Sequence, residues 1–178
     1  MITSTSTLTD VAFAVCTALD AAGFVAVLTG GSAATYYAPE AYISRDLDFV
    51  ITLTGKHGED VLKTIGYHRA GQFYRHDKTA FTLDFPLGPL AIGDDRVTSW
   101  ATIRRETEML HVLTATDSCR DRLASYLFWD DFQGLEQSLY VFRTQRQQLD
   151  LPAIKEWCGR ERQLAKYVLF EQRALGGE

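Results

Sequence analysis

Residues 28–51 read LTGGSAATYYAPEAYISRDLDFVI and hold the groups best suited to chemistry. Gly30-Gly31-Ser32 stands between a short apolar, β-branched run and a stretch of helix formers. A strand that ends there and opens a helix presents unpaired backbone N–H groups and the positive end of the helix dipole, which together make an anion site. The glycines let a phosphate approach the backbone closely, and the Ser32 hydroxyl adds a donor. Further on, Asp46 and Asp48 flank Leu47 at the start of the next strand, so alternation points both carboxylates to one face. Carboxylates held side by side repel unless a cation sits between them, and Mg²⁺ is held by one or two carboxylates together with phosphates and waters. Asp84 in FTLDFP interrupts a β run of Phe81, Leu83 and Phe85, where an acid has no packing reason to be. A phosphate cradle beside three acids on adjacent strands is a site for metal-assisted phosphoryl or nucleotidyl transfer. Singly, Gly-Gly-Ser is an ordinary turn and Asp-x-Asp an ordinary strand end, so the order and the combination carry the reading. Asp94-Asp95, which follows Gly93, reads as a solvated turn.

The elements that must position these groups follow from periodicity. Leu8, Val11, Val15, Leu19 and Ala22 recur on one face of a helix that Thr7 or Thr9 caps and Gly23 ends. Phe24–Thr29 reads as a buried strand, Ser32–Tyr37 as a helix stopped near Pro39, Leu47–Leu53 as a strand and Lys56–Ile65 as a short helix. From Tyr67 to His111, short runs separated by turn residues predict a β meander that carries on the sheet, with GPLAIGDD as a loop. From Thr114 onward Gly and Pro are rare, and helices are expected over Asp117–Trp129, Gln133–Gln147 and Pro152 to about Ala174, the last with a break near Gly159. The expected fold is therefore α+β: residues 1–113 form a mixed β-sheet flanked by helices, and residues 114–178 form a C-terminal helical segment packed on that core.

The pattern of Gly-Gly-Ser, a gap of about a dozen residues, Arg45-Asp46-Leu47-Asp48-Phe49 and a later strand aspartate, Asp84, resembles the DNA-polymerase-β-like nucleotidyltransferase superfamily. It is similar above all to the small bacterial proteins grouped with the AbiEii-type toxins and related minimal nucleotidyltransferases. Residues 28–51 carry the resemblance most closely, and it extends to 86. In the helical tail, Asp121-Arg122-Leu123-Ala124-Ser125-Tyr126, followed by Glu136, is similar to the family's Lys-Leu-x-Ala helix with its later acid. Arg122 stands where lysine is usual, and arginine also grips phosphate well.

The resemblance implies that Gly30, Gly31 and Ser32 hold the phosphates of a nucleoside triphosphate such as ATP, with Arg45 and Arg122 meeting their charge. It implies that Asp46 and Asp48 bind Mg²⁺ or Mn²⁺, and that Asp84 completes the second metal site and helps deprotonate the attacking hydroxyl. Lys78, Arg104 and Arg105 are further cations available for phosphate. The acceptor in this group is commonly an RNA end or a protein side chain, which makes a toxin with an antitoxin partner one expectation. A small antibiotic as acceptor is another. A catalytically silent nucleotide-binding or interaction module of the same fold is the alternative, disfavoured because such a module has no need for a repulsive acid cluster.

Composition bounds these readings. The chain has 178 residues, 46% of them hydrophobic and 23% charged, which suffices for one core and excludes disorder. A net charge of −5 argues against a general nucleic-acid coat or an anionic-membrane binder. No apolar run approaches the roughly 20 residues of a membrane span, and MITSTSTLTD lacks the features of a signal peptide, so a cytoplasmic location is expected. Cys16, Cys119 and Cys158 have no metal or disulfide spacing and read as packing residues. The four histidines, without metal-binding spacing, read as surface or edge-strand residues.

Overall fold

The computed structural model describes residues 1–53 and 58–176. Helix α1 (Leu8–Ala21) starts in a capping box, in which Thr7 accepts from the Asp10 N–H and Asp10 accepts from the Thr7 N–H, and it buries Leu8, Val11, Val15 and Leu19. Strand β1 (Val25–Thr29) leads directly into α2 (Gly30–Tyr37), and β2 (Asp46–Leu53) returns antiparallel to β1. Of the helix expected over Lys56–Ile65, the described part is α3 (Gly58–Thr64), while Lys56 and His57 lie outside the described residues. Then follow β3 (Tyr67–Ala70), β4 (Phe73–His76), β5 (Thr79–Asp84), the small hairpin β6 (Ala91–Ile92) and β7 (Asp95–Arg96), β8 (Ala101–Arg105) and β9 (Glu108–Val112).

The meander expected over Tyr67–His111 is split in two. The seven-stranded mixed sheet has the order β3-β4-β5-β2-β1-β9-β8, with β5 parallel to β2 and β9 parallel to β1. Burial explains the split: β9 carries Leu110 and Val112, both fully buried, and a strand this apolar belongs inside the sheet. The polar strands β3 and β8 take the edges, where charged side chains discourage further pairing. Leu28, Leu47, Phe49, Leu83, Leu110 and Val112 line the face that belongs to the main core. On the opposite face Val27, Val50 and Leu113 pack with Leu90, Val97 and Trp100 from the segment around the β6–β7 hairpin.

GPLAIGDD is accordingly more than a loop: Gly93-Asp94 is the exposed turn of the β6–β7 hairpin, as expected, but Asp95 is not simply solvated. Asp95 accepts from Arg120 Nη2 at 2.7 Å and from Arg160 Nη2 at 2.6 Å, and the Asp94 N–H donates to Glu161 Oε1 at 2.9 Å. His111 also departs from expectation. It lies buried in an inner strand, with Nδ1 2.8 Å from Thr102 Oγ1. The three cysteines are free and buried.

The tail forms α4 (Ala115–Trp129), α5 (Phe132–Thr144), α6 (Leu151–Arg160) and α7 (Leu164–Leu175). The break expected near Gly159 is present: α6 ends at Arg160 and α7 begins at Leu164, with Arg162 between them at a φ of +59°. One cluster of buried side chains runs from Leu8 through Leu47 and Leu83 to Trp157 and Phe170, so the tail shares the core of the sheet part. No described helix is long and apolar enough to cross a membrane.

Candidate active site

The β1–α2 junction and the start of β2 are knitted together by Ser32. Its hydroxyl donates to the Thr29 carbonyl at 2.7 Å and accepts from the Asp48 N–H at 3.1 Å. Ser32 is fully buried, and with its single proton committed to Thr29 it has none left to offer a phosphate. Its part here is to hold the helix start against Asp48. The Thr29 hydroxyl adds a bond to the Asp48 carbonyl at 3.3 Å.

Gly30, with φ at +63°, begins α2, and a Cβ at this position would collide with Asp48 Oδ2. A Cβ on Gly31 would lie 3.3 Å from Tyr42 Oη and 3.4 Å from Ser44 Oγ. The first N–H groups of α2, which have no intrahelical partners, are therefore flanked by a carboxylate on one side and a phenol on the other. Both glycines are buried, so an anion would meet the rim of this helix start.

Strand register brings Asp48 and Asp84 side by side as Cα partners in the parallel β2–β5 pair, with Asp46 beside Thr82 and Leu47 beside Leu83. Leu47 and Leu83 are fully buried, and alternation turns the acids to the opposite face. Asp48 is half-buried, and its carboxyl is pushed up to about 6, first by burial and then by the charge of Asp84; Arg122 opposes this, while Asp121 and Asp46 add to it. Asp84 Oδ1 accepts the N–H of Phe85 at 2.8 Å. Asp46 is exposed, and its Oδ1 accepts a short hydrogen bond from the Thr82 hydroxyl. Among the described residues, no three His, Cys, Asp or Glu side chains converge closely enough to hold a metal ion by themselves. The Asp48–Asp84 pair nevertheless leaves a half-buried negative charge short of compensation. That suits a cation that takes one or two carboxylates and completes its shell with phosphate and water.

Arg122 reaches this group from α4. Its Nε and Nη2 donate to Asp121 Oδ2 at 3.0 and 2.8 Å, and its Nη1 lies 3.4 Å from Gln137 Oε1 on α5. The helices meet closely at this turn, since a Cβ on Gly134 would lie 2.7 Å from both the Arg122 carbonyl and Ser125 Cβ. Arg45 is exposed at the bend before β2 and makes no ion pair among the described residues; its carbonyl accepts the Thr82 N–H at 3.2 Å. Lys78, at the β4–β5 turn, and Arg104, on the edge strand β8, stand apart from the acids, and Arg105 is held by Asp10 and Glu108.

Three neighbours escape a reading of the sequence. Thr82 stands two residues before Asp84, so alternation alone could have placed it on the acid face. Asp121 precedes Arg122 on a helix, where an acid beside a base looks like a solvated surface pair. Tyr42 sits in an irregular loop with no period to place it. Compared with protein-family models, with curated proteins and with solved structures, the chain matches none.

Proposed function

We propose that this α+β fold is a nucleotidyltransferase-type core and that the chain transfers a nucleoside monophosphate from a triphosphate to a hydroxyl acceptor. The observation that carries the reading is the placement of Asp48, which is the register partner of Asp84, abuts Gly30 at the start of α2 and lies within the field of Arg122. Asp48 and Asp84 would hold a divalent cation such as Mg²⁺ or Mn²⁺, with Asp46 at its exposed side. When bound, that ion neutralises the two carboxylates and draws electron density from the phosphate oxygens. The rim of the α2 N-terminus, at Gly30 and Gly31, orients the triphosphate, and Arg122 offsets its charge. The Asp84 carboxylate takes the proton of the attacking hydroxyl. The oxygen that loses it forms a bond to the α-phosphorus as the bond to the β-phosphate oxygen breaks and pyrophosphate leaves.

A catalytically silent nucleotide-binding module is the second reading. It is favoured by the commitment of the Ser32 proton and by the absence of a three-ligand metal group among the described residues. One experiment separates the two. The purified chain is incubated with Mg²⁺ and each α-labelled nucleoside triphosphate in the presence of total RNA, lysate protein or aminoglycosides. Transfer of label with release of pyrophosphate supports the enzyme, whereas nucleotide binding without turnover supports the module. Retention of label on an RNA or a protein target, together with growth arrest on expression, would place the chain among toxins with an antitoxin partner.

A further inference from the structure

Helix α5 turns one side to the core, burying Leu135, Leu139 and Phe142 among others. Its other side carries Phe132, Gln133, Glu136, Tyr140, Arg143 and Thr144, spaced by threes and fours as one helix face requires. Phe132, Gln133, Arg143 and Thr144 are exposed, while Glu136 and Tyr140 are half-buried. Arg173 of α7 reaches only the edge of this face, at Glu136. Phe132 is 57% exposed, and Trp129, just before it at the end of α4, is 74% exposed. Two large aromatic rings left this open at one corner mark a contact surface. Charge is divided along the same face: residues 129–136 hold three acids and no base, and residues 140–148 hold two bases and no acid. Lys166 answers Asp130 and Arg173 answers Glu136, but Asp131, Arg143 and Arg146 have no ion-pair partner among the described residues.

We propose that a second copy of the chain docks on this face, the two α5 helices lying antiparallel about a two-fold axis midway between Glu136 and Tyr140. The spacing is self-complementary. Phe132 and Arg143 stand three helical turns apart, about 16 Å, on one flank of the face, and Gln133 and Thr144 stand equally far apart on the other. Reversal about the axis therefore brings Phe132 against Arg143, Glu136 against Tyr140 and Gln133 against Thr144, with each pair made twice in the closed dimer. The pairs also match in chemistry. The Arg143 guanidinium meets the ring of Phe132, and the Tyr140 hydroxyl donates to Glu136. The Gln133 amide donates to Thr144 Oγ1, whose own proton is held by the Tyr140 carbonyl at 2.9 Å. Beyond these pairs, Trp129 and Asp131 of one copy face Arg146 of the other, just past the helix end. A parallel pairing would set Arg143 against Arg143 and Asp131 against Asp131, and like charge opposes it. Nothing in this dimer depends on nucleotidyl transfer.

The test is analytical ultracentrifugation of the full chain from micromolar to near-millimolar concentration, for wild type, Phe132→Ala and Arg143→Glu. Both variants alter exposed side chains, and those that keep the wild-type circular dichroism and melting temperature are compared. The wild type should pass from monomer to dimer. Each variant should raise the dissociation constant by at least about tenfold, since each loses two contacts between ring and guanidinium. Orientation is read by oxidising Gln133→Cys chains, Thr144→Cys chains and their mixture, with the products identified by mass; the three native cysteines are all buried. The mixture should form disulfide-linked dimers of one chain of each kind, and neither variant should link to itself. Linkage of either variant to itself, without linkage in the mixture, would overturn the antiparallel docking. So would a dimer indifferent to both Phe132→Ala and Arg143→Glu, or association that continues past the dimer. A pure chain that stays monomeric throughout would also overturn it, even if that chain captures another protein from a lysate.

Discussion

Asp48 and Asp84 stand shoulder to shoulder on parallel strands, with the Asp48 carboxylate pressed against the first residue of α2. Burial and the neighbouring charge hold the Asp48 carboxyl at about 6, above its ordinary value of 3.8. The folded chain therefore binds this proton more tightly than the unfolded chain. The contribution of Asp48 to stability is complete below about pH 4, declines as pH rises toward about 6 and stays lost above it. Asp48→Asn should accordingly stabilise the metal-free protein at pH above about 7 by about 2 kcal/mol, and should leave it unchanged near about pH 3. Urea titrations of both proteins across this range would show the difference, and equal stability at neutral pH would contradict it. Added Mg²⁺ should raise the melting temperature of the wild type and not of the variant.

Gly30 is constrained twice, by its positive φ and by the carboxylate above it. Gly30→Ala should cost about 2–3 kcal/mol, of which about 1–2 is the left-handed backbone. Combining it with Asp48→Gly should recover the remainder. A double-mutant cycle by chemical denaturation measures that coupling, and strict additivity would show that the two residues do not meet.

Gly134 lets α5 approach α4 at the turn that carries Arg122. Gly134→Ala should destabilise the protein by about 1–3 kcal/mol through overpacking. By moving Arg122 it should also raise KM for the triphosphate more than it lowers kcat. An unchanged KM would mean that Arg122 does not grip the nucleotide.

Asp95 ties the β6–β7 hairpin to α4 and α6 through Arg120 and Arg160. Arg120 is largely buried, lies over the Trp157 ring and has an Nε without a partner among the described residues. Asp95→Ala should therefore cost about 2 kcal/mol, less than the full loss of a buried pair because Asp117 still holds Arg120.

Local pattern made much of this fold legible. The spacing of Leu8, Val11, Val15 and Leu19 places α1, the apolar run before Gly30 places β1, and the alternation around Leu47 turns Asp46 and Asp48 to one face. Non-local pairing was harder to read. Nothing local tells Leu110 and Val112 to lie against β1 rather than extend a meander, because that choice is made by burial across the whole sheet. The strands of the β6–β7 hairpin are too short for any period to emerge, and the partners of Asp95 come from positions 120 and 160. In the candidate site the glycines and acids stood out by type and order. The committed proton of Ser32 and the clasp of Asp121 on Arg122 depend on side-chain directions that only the folded chain defines.

Joint action of Asp48 and Asp84 in the proposed nucleotidyl transfer is read from pyrophosphate release from labelled nucleoside triphosphates by wild type, Asp48→Asn and Asp84→Asn, each with Mg²⁺ and an acceptor. The wild type should turn over, and each variant should lose at least about a hundredfold with its fold retained. Turnover by either variant at the wild-type rate would contradict it.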